Sequence, residues 1–236
     1  ALVGKGVTFD SGGLCLKSGE SMGQMKTDMA GAAAVMAVME ALPTLKIPNK
    51  VVGILPLAEN MPGQKAYRPG DVVSTLSGQT VEIINTDAEG RLILADALTL
   101  AQRYQPDYLI DIATLTGACR VALGERCAGL FSDSEFLRGA LLRASLLVGE
   151  SYWPMPLLDD YDEDLNSDLA DFKQAVGQAG GAILAALFLR RFIKSNVAWA
   201  HLDICGTARK NQKSPSGTEG GSGYGVTTIL KFICSL

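Results

Sequence analysis

Short, continuously apolar runs alternate along the chain with longer stretches whose apolar positions recur every three or four residues. That alternation is the mark of an α/β fold. Residues 2–9 read as a strand running into the glycine turn Ser11-Gly12-Gly13. The Ala- and Met-rich stretch 29–42 reads as a helix, with Asp28 at its N-cap position and Pro43 and Pro48 bracketing its end. A strongly apolar strand is predicted over 50–57. A hairpin is predicted over 72–75 and 80–84, around the turn Ser77-Gly78-Gln79. An amphipathic helix follows over 92–104, then a buried strand over 108–114 that ends at Thr116-Gly117. Helices are predicted over 135–148 and 182–194, a strand over 199–204 and a closing helix over 226–233. Residues 217–225 are glycine-rich without phosphate-loop spacing and read as a flexible loop. No internal repeat and no linker interrupts the pattern, so a single α/β domain is expected.

Composition narrows the classes of function. Of the 236 residues, 47% are apolar, enough for a sizeable core, and only 19% are charged, a weak pointer to an oligomer. The net charge of −4 and the lack of any Lys/Arg block make nucleic acid an unlikely partner. The five cysteines are odd in number and show no C-x-x-C spacing, which fits free, mostly buried thiols in a reducing compartment. The longest uncharged apolar runs, 29–39 and 179–189, are too short to span a bilayer, and no signal peptide is evident. Ala1-Leu2-Val3-Gly4 reads as the inside of a buried strand, so an amino-terminal portion is expected to precede it.

The candidate chemistry lies in acids and lysines at the ends of apolar strands. Lys5 and Asp10 bracket K-G-V-T-F-D, and Lys17 follows the glycine turn. Asp28 opens a helix in M-K-T-D-M-A-G-A-A. In N-T-D-A-E-G-R-L, an extended segment would place Asp87, Glu89 and Arg91 on one face, because a strand repeats every two residues. Taken singly, Asp28 is a helix cap, Asp87 and Glu89 a solvated turn, and Lys5 a snorkelling strand residue. Taken together they put charge where burial costs several kcal/mol per ion unless it is compensated. Asp10, Asp28, Asp87 and Glu89 carry four negative charges, which two divalent cations bridged by shared carboxylates would neutralise. Lys5 could ligate only when neutral, and a neighbouring dication lowers its pKa. Lys17 and Arg91 would stay charged and face the substrate.

These segments resemble the leucyl aminopeptidase family of cytosolic di-metal exopeptidases. N-T-D-A-E-G-R-L, at 85–92, is that family's signature octapeptide. K-G-x-x-F-D-S-G-G, M-K-x-D-M-x-G-A-A, L-A-E-N-M-P, D-I-A-T-L-T-G and W-A-H-L-D-I match in order, so the likeness spans nearly the whole chain. It implies a mixed, mostly parallel sheet flanked by helices in a three-layer αβα arrangement. It also implies that residues 1–236 are the C-terminal catalytic domain, without its opening part and without a separate N-terminal domain. Carried over by position, Asp10 and Glu89 bridge two metals, Lys5 and Asp28 complete the tighter site, and Asp87 completes the more exchangeable one. Zn or Mn is expected, with Mg or Co possible. Lys17 stabilises the oxyanion. Arg91 holds a bicarbonate ion that acts as general base. Met25, Asn85, Ala88, Thr114, Leu115 and Gly117 line the pocket or grip the peptide. The implied protein is a cytoplasmic homohexamer that removes leucine and other first residues from peptides with a free amino terminus. His201, Asp96, Asp111 and Asp203 are read as structural, and Cys205 as a packing substitution for a small residue.

Two other readings compete. One is a catalytically idle hexameric scaffold or accessory DNA-binding relative, against which stand the intact ligand set and the acidic charge. The other is a di-metal hydrolase of phosphate esters, against which stand the lysine ligand and the absence of histidine from the cluster.

Overall fold

The computed structural model describes residues 1–177, 179–210 and 219–236. In chain order its strands are β1 (Leu2–Gly4), β2 (Gly6–Asp10), β3 (Gly53–Ile54), β4 (Leu57–Asn60), β5 (Val72–Ser74), β6 (Thr80–Glu82), β7 (Tyr108–Ala113), β8 (Ala128–Phe131), β9 (Tyr152–Pro154), β10 (Phe172–Lys173), β11 (Ala198–Asp203), β12 (Arg209–Lys210) and β13 (Gly220–Gly221). Its α-helices are α1 (Gly19–Met22), α2 (Ala30–Leu45), α3 (Glu89–Ala101), α4 (Gly117–Leu123), α5 (Glu135–Val148), α6 (Gly181–Arg190) and α7 (Val226–Ile233). The central sheet has six strands in the order β3-β1-β7-β11-β8-β9. Its pairings are parallel except β11 with β8. The expected mixed, mostly parallel sheet is therefore present.

Both faces of that sheet are covered, which is why its strands are mostly apolar rather than alternating, with Asp111, His201 and Asp203 as buried exceptions. Leu2, Ile110, Ile112, Ala200 and Leu202 point to one side and pack with α2, α5 and α7 through Val35, Val38, Leu137, Leu141 and Phe232. Val3, Leu109, Ala113 and Trp199 point to the other side and pack with α3 and α6 through Leu94, Leu98, Leu184 and Phe188. The period of two along each strand sorts its residues between the two layers.

The strand expected over 2–9 is two strands. β1 belongs to the central sheet, whereas β2 leaves it and pairs in parallel with β4. Lys5 is the hinge between them: its N–H donates to the Ile112 carbonyl and its carbonyl accepts from the Ala32 N–H. The strand expected over 50–57 divides in the same way into β3 and β4. Close approach of α2 to β1 and β7 requires Gly31, where a Cβ would sit 2.1 Å from the Ile112 carbonyl oxygen.

Other boundaries also differ from expectation. Helix α2 runs through Pro43 to Leu45 and stops at Lys46, whose φ of 50° is left-handed. A proline in a last turn removes one hydrogen bond without ending the helix. Asp28 does not cap α2, whose N-cap is Met29, because the Asp28 carboxylate is turned into the protein. Helix α3 begins at Glu89, so Asp87, Glu89 and Arg91 do not share an extended face. The hairpin of β5 and β6 forms as expected and gains β10 as a third strand. Helix α7 matches its predicted bounds. Glu150 accepts from the N–H groups of Gly225 and Thr228 at its start. The five thiols are unpaired, but only Cys119 is buried. The glycine-rich stretch 217–225 lies partly outside the described residues. Taken as one, Gly19–Leu45 is long and apolar enough to pass for a membrane span. It is broken between α1 and α2, however, and the buried face of α2 packs on the sheet.

Candidate metal centre

The parallel strands deliver charged residues to their carboxyl ends, where open α/β sheets bind ligands. Lys5 follows β1, Asp10 ends β2, Asn60 ends β4 opposite Asp10, and Thr114 follows β7. Asp28 precedes α2, and Glu89 opens α3. Lys5, Asp10, Asp28 and Glu89 are each at most 6% exposed.

The Lys5 Nζ lies 2.8 Å from Asp28 Oδ2 and 3.1 Å from Glu89 Oε1, and it donates to the Thr114 carbonyl at 2.9 Å. The Thr114 hydroxyl donates to Asp28 Oδ1 at 2.8 Å. The Lys17 Nζ lies 2.8 Å from Asp10 Oδ2 and also pairs with Asp87 Oδ1. Lys17 borders the cavity, with its ammonium turned onto these two carboxylates. One carboxylate oxygen each from Asp10, Asp87 and Glu89 lie within 4.8 Å of one another.

Electrostatics follow from this crowding. Burial opposes the Lys5 ammonium, but Asp28 and Glu89 outweigh it and hold the pKa well above the ordinary lysine range. Burial raises the Asp28 carboxyl to about 6, with Glu89 adding to the rise and Lys5 opposing it. Burial likewise raises Asp87, against the pull of Lys17. Four carboxylates face two ammonium groups, so two negative charges in the cluster remain unmatched by Lys5 and Lys17. Asp28 Oδ2 and Asp87 Oδ1 are buried beside those ammonium groups without a directed hydrogen bond among the described residues. Clustered oxygen donors with excess negative charge suit divalent cations.

A cavity of about 330 Å3 opens over the cluster. It gathers Lys5, Asp10, Lys17, Met25, Asp28, Asp87, Ala88, Glu89, Arg91, Thr114, Leu115 and Gly117. Asn85 instead borders an adjoining apolar cleft with Ile84, Val121 and Val176. Arg91 donates through Nη1 to the Gln174 carbonyl at 2.6 Å, while its buried Nε has no partner among the described residues. Burial lowers the Arg91 guanidinium to about 10. His201 is not bonded to the cluster: its Nδ1 meets Asp111 Oδ1 at 2.5 Å, and Trp199 Nε1 donates to Asp111 Oδ2 at 2.7 Å.

Several supporting residues had no role in the sequence reading. Asn60 Nδ2 faces Asp10 Oδ1 at 2.9 Å, the Thr86 carbonyl at 2.9 Å and Glu89 Oε2 at 3.2 Å. The Thr86 hydroxyl donates to the Gly12 carbonyl and accepts from the Cys15 N–H, tying the octapeptide to the glycine turn. Gln174 accepts from the N–H groups of Ile84 and Asn85 and donates to the Asn85 carbonyl. Asn60 stands in the L-A-E-N-M-P stretch, which was a usable signal. Gln174 lies more than eighty residues from its partners, with no motif around it.

Comparison with known proteins places these features. A family model described as the cytosol aminopeptidase family, catalytic domain, matches residues 1–230. The chain is 54% identical over 235 residues to a probable cytosol aminopeptidase of Geotalea uraniireducens, covering 100% of this chain and 47% of that one. It is 55% identical over 232 residues to one of Nitratidesulfovibrio vulgaris, covering 98% and 46%. Among solved structures, the bottromycin maturation enzyme BotP in complex with Mn is similar with a TM-score of 0.95 at 47% identity, covering 99% of this chain and 52% of that one. The chain thus spans about half the length of the relatives it matches. With this match running from end to end and the octapeptide acids at its centre, the chain belongs to the cytosol aminopeptidase family, through its catalytic domain.

Proposed function

We propose that this domain hydrolyses the first residue from peptides with a free amino terminus, using two divalent metal ions. The observation that carries the reading is the convergence of Lys5, Asp10, Asp28, Asp87 and Glu89, from three separate segments, on one cavity. Asp10 and Glu89 would be shared between the ions, Lys5 and Asp28 would serve one, and Asp87 the other. Bound there, the ions would supply an activated water and a polarised carbonyl. Mn or Zn fits a set of carboxylate oxygens with one amine, and Mg or Co is admissible.

The chain's own residues do the rest. Lys17 reaches the cavity from the glycine turn and would meet negative charge developing on the carbonyl oxygen. Arg91, with its unpartnered buried Nε, would hold a bicarbonate ion as general base. Thr114 fixes both Lys5 and Asp28, so the loop that borders the cavity also sets two ligands. Met25, Ala88, Leu115 and Gly117 would contact the first residue, and Asn85 the peptide beyond it. A cytoplasmic location belongs to this proposal, since the relatives are named for the cytosol, and a homohexamer belongs to it through the family resemblance alone. The preference for leucine over other first residues also belongs to this proposal.

The test compares a leucyl peptide with its N-acetylated twin, with and without chelator. Cleavage of the free peptide alone, abolished by chelation and restored by Mn or Zn, is expected. Equal cleavage of both peptides, or full activity in excess chelator, would refute the reading.

A further inference from the structure

Asp203 ends β11, is fully buried, and touches none of the cluster residues by hydrogen bond or ion pair. Its Oδ1 accepts from three backbone N–H groups: Leu115 at 3.3 Å, Thr116 at 3.4 Å and Cys205 at 3.1 Å. Its Oδ2 accepts from the Thr116 hydroxyl at 2.7 Å, and that hydroxyl accepts from the Cys119 N–H, capping α4. These bonds join two loops that follow neighbouring parallel strands, with Asp203 in register with Ala113. One loop brings Thr114, Leu115 and Gly117 to the cavity, and the other brings Cys205, Gly206 and Ala208. The loops have no room to slide. At Gly206 a Cβ would lie 2.1 Å from the Gly124 carbonyl oxygen, just past the end of α4.

We propose that Asp203 is the positioning residue that sets the width of the cavity receiving the substrate's first side chain, by holding both loop walls on one carboxylate. The proposal rests on the aminopeptidase reading and adds what fixes its selectivity. The 2.7 Å bond from the Thr116 hydroxyl is a short charge-assisted one, and three longer N–H bonds converge on the other oxygen of the same carboxylate. Weakening them lets the walls part at Leu115 and Cys205, while Thr114, bonded to Lys5 and Asp28 directly, keeps those two side chains in place. A pocket discriminates side chains through close contact, so a wider one loses preference for the side chain that filled it.

The experiment is Asp203→Asn in the purified, manganese-loaded protein. Asparagine keeps one acceptor for the three N–H groups but turns an amide donor on a Thr116 hydroxyl that already accepts from Cys119. Thr116→Val, which removes the same hydroxyl link from the other side, serves as a second variant should Asp203→Asn not fold. Measured are manganese stoichiometry, kcat and KM for leucyl and alanyl amides, and binding of leucine and alanine hydroxamates by calorimetry. Unchanged stoichiometry is expected. The leucine-over-alanine preference in kcat/KM and in hydroxamate binding should fall by about tenfold, mainly through KM for the leucyl substrate. Proportional losses for both substrates, or an unchanged ratio, would overturn the proposal. A wild-type protein that cleaves neither amide would overturn the aminopeptidase reading, and this inference with it.

Discussion

Replacing Asn60 by alanine tests whether the carboxylates of the cluster are held in place or merely gathered. Asn60 Nδ2 has two hydrogens and three acceptors within 3.2 Å, among them one oxygen each of Asp10 and Glu89. The three acceptors do not lose equally. Asp10 Oδ1 keeps the Gly12 N–H at 2.9 Å, and the Thr86 carbonyl keeps the Tyr67 hydroxyl at 2.9 Å. Glu89 Oε2 has Asn60 as its donor. Leaving a buried carboxylate oxygen without its partner costs about 1–3 kcal/mol. The same amide dipole also screens Asp10 from Glu89, and its loss adds repulsion between them. Metal-free Asn60→Ala should therefore be less stable than wild type by about 2–4 kcal/mol. Manganese would relieve that repulsion but would find its ligands less ordered, so affinity should fall by about 10–100-fold. Thermal melting in chelator gives the first quantity and calorimetric titration with Mn gives the second. Wild-type melting in chelator together with wild-type manganese affinity would refute the argument that Asn60 organises the site.

Gly90→Ala should weaken metal binding without touching a ligand's identity. Its Cβ would fall 2.6 Å from Lys5 Nζ and 2.4 Å from Lys5 Cε, and Lys5 is pinned by three partners, so the lysine must move; unchanged Mn titration would contradict this. Lys17→Ala should lower kcat by about 10²-fold while both metals still bind, because its interaction is expected to grow with charge on the carbonyl oxygen; near-normal kcat at full metal loading would count against that role. His201 supplies a pH signature away from the metals. Burial opposes its charge, but Asp111 outweighs burial and raises its pKa above the ordinary 6.5. A raised folded pKa means the pair's contribution is complete below the unfolded value and is lost as pH rises through the folded one. His201→Gln should therefore flatten that decline in a denaturant series run from pH 6 to pH 9, and a decline as steep as wild type's would exclude His201 as its source.

What could be read from the sequence follows from local chemistry. The apolar runs at β7 and β11 and the helical periodicity of α5 and α7 announce an α/β sheet, because burial on both faces forces continuous apolarity. The octapeptide and the two lysine-bearing segments announce the charged site, because acids at strand ends are costly without compensation. Tertiary structure decided the rest. The run 2–9 splits at Lys5 because pairing partners change there, from β7 to β4, and no local pattern encodes a partner. Glu89 lies in a helix rather than an extended segment, and its place at the start of α3 brings its carboxylate to Lys5, a contact no local pattern encodes. Asp28 reads as a helix cap, yet Thr114 and Lys5, far away in sequence, draw its carboxylate inward. Asn60 and Asp203 stand in stretches that match the family without stating these roles, and Gln174 stands in none. Their roles come mainly from acceptors and donors 26 to 90 residues away. Sequence fixes which groups are present and what they can bond, and only the packed chain determines which of them meet.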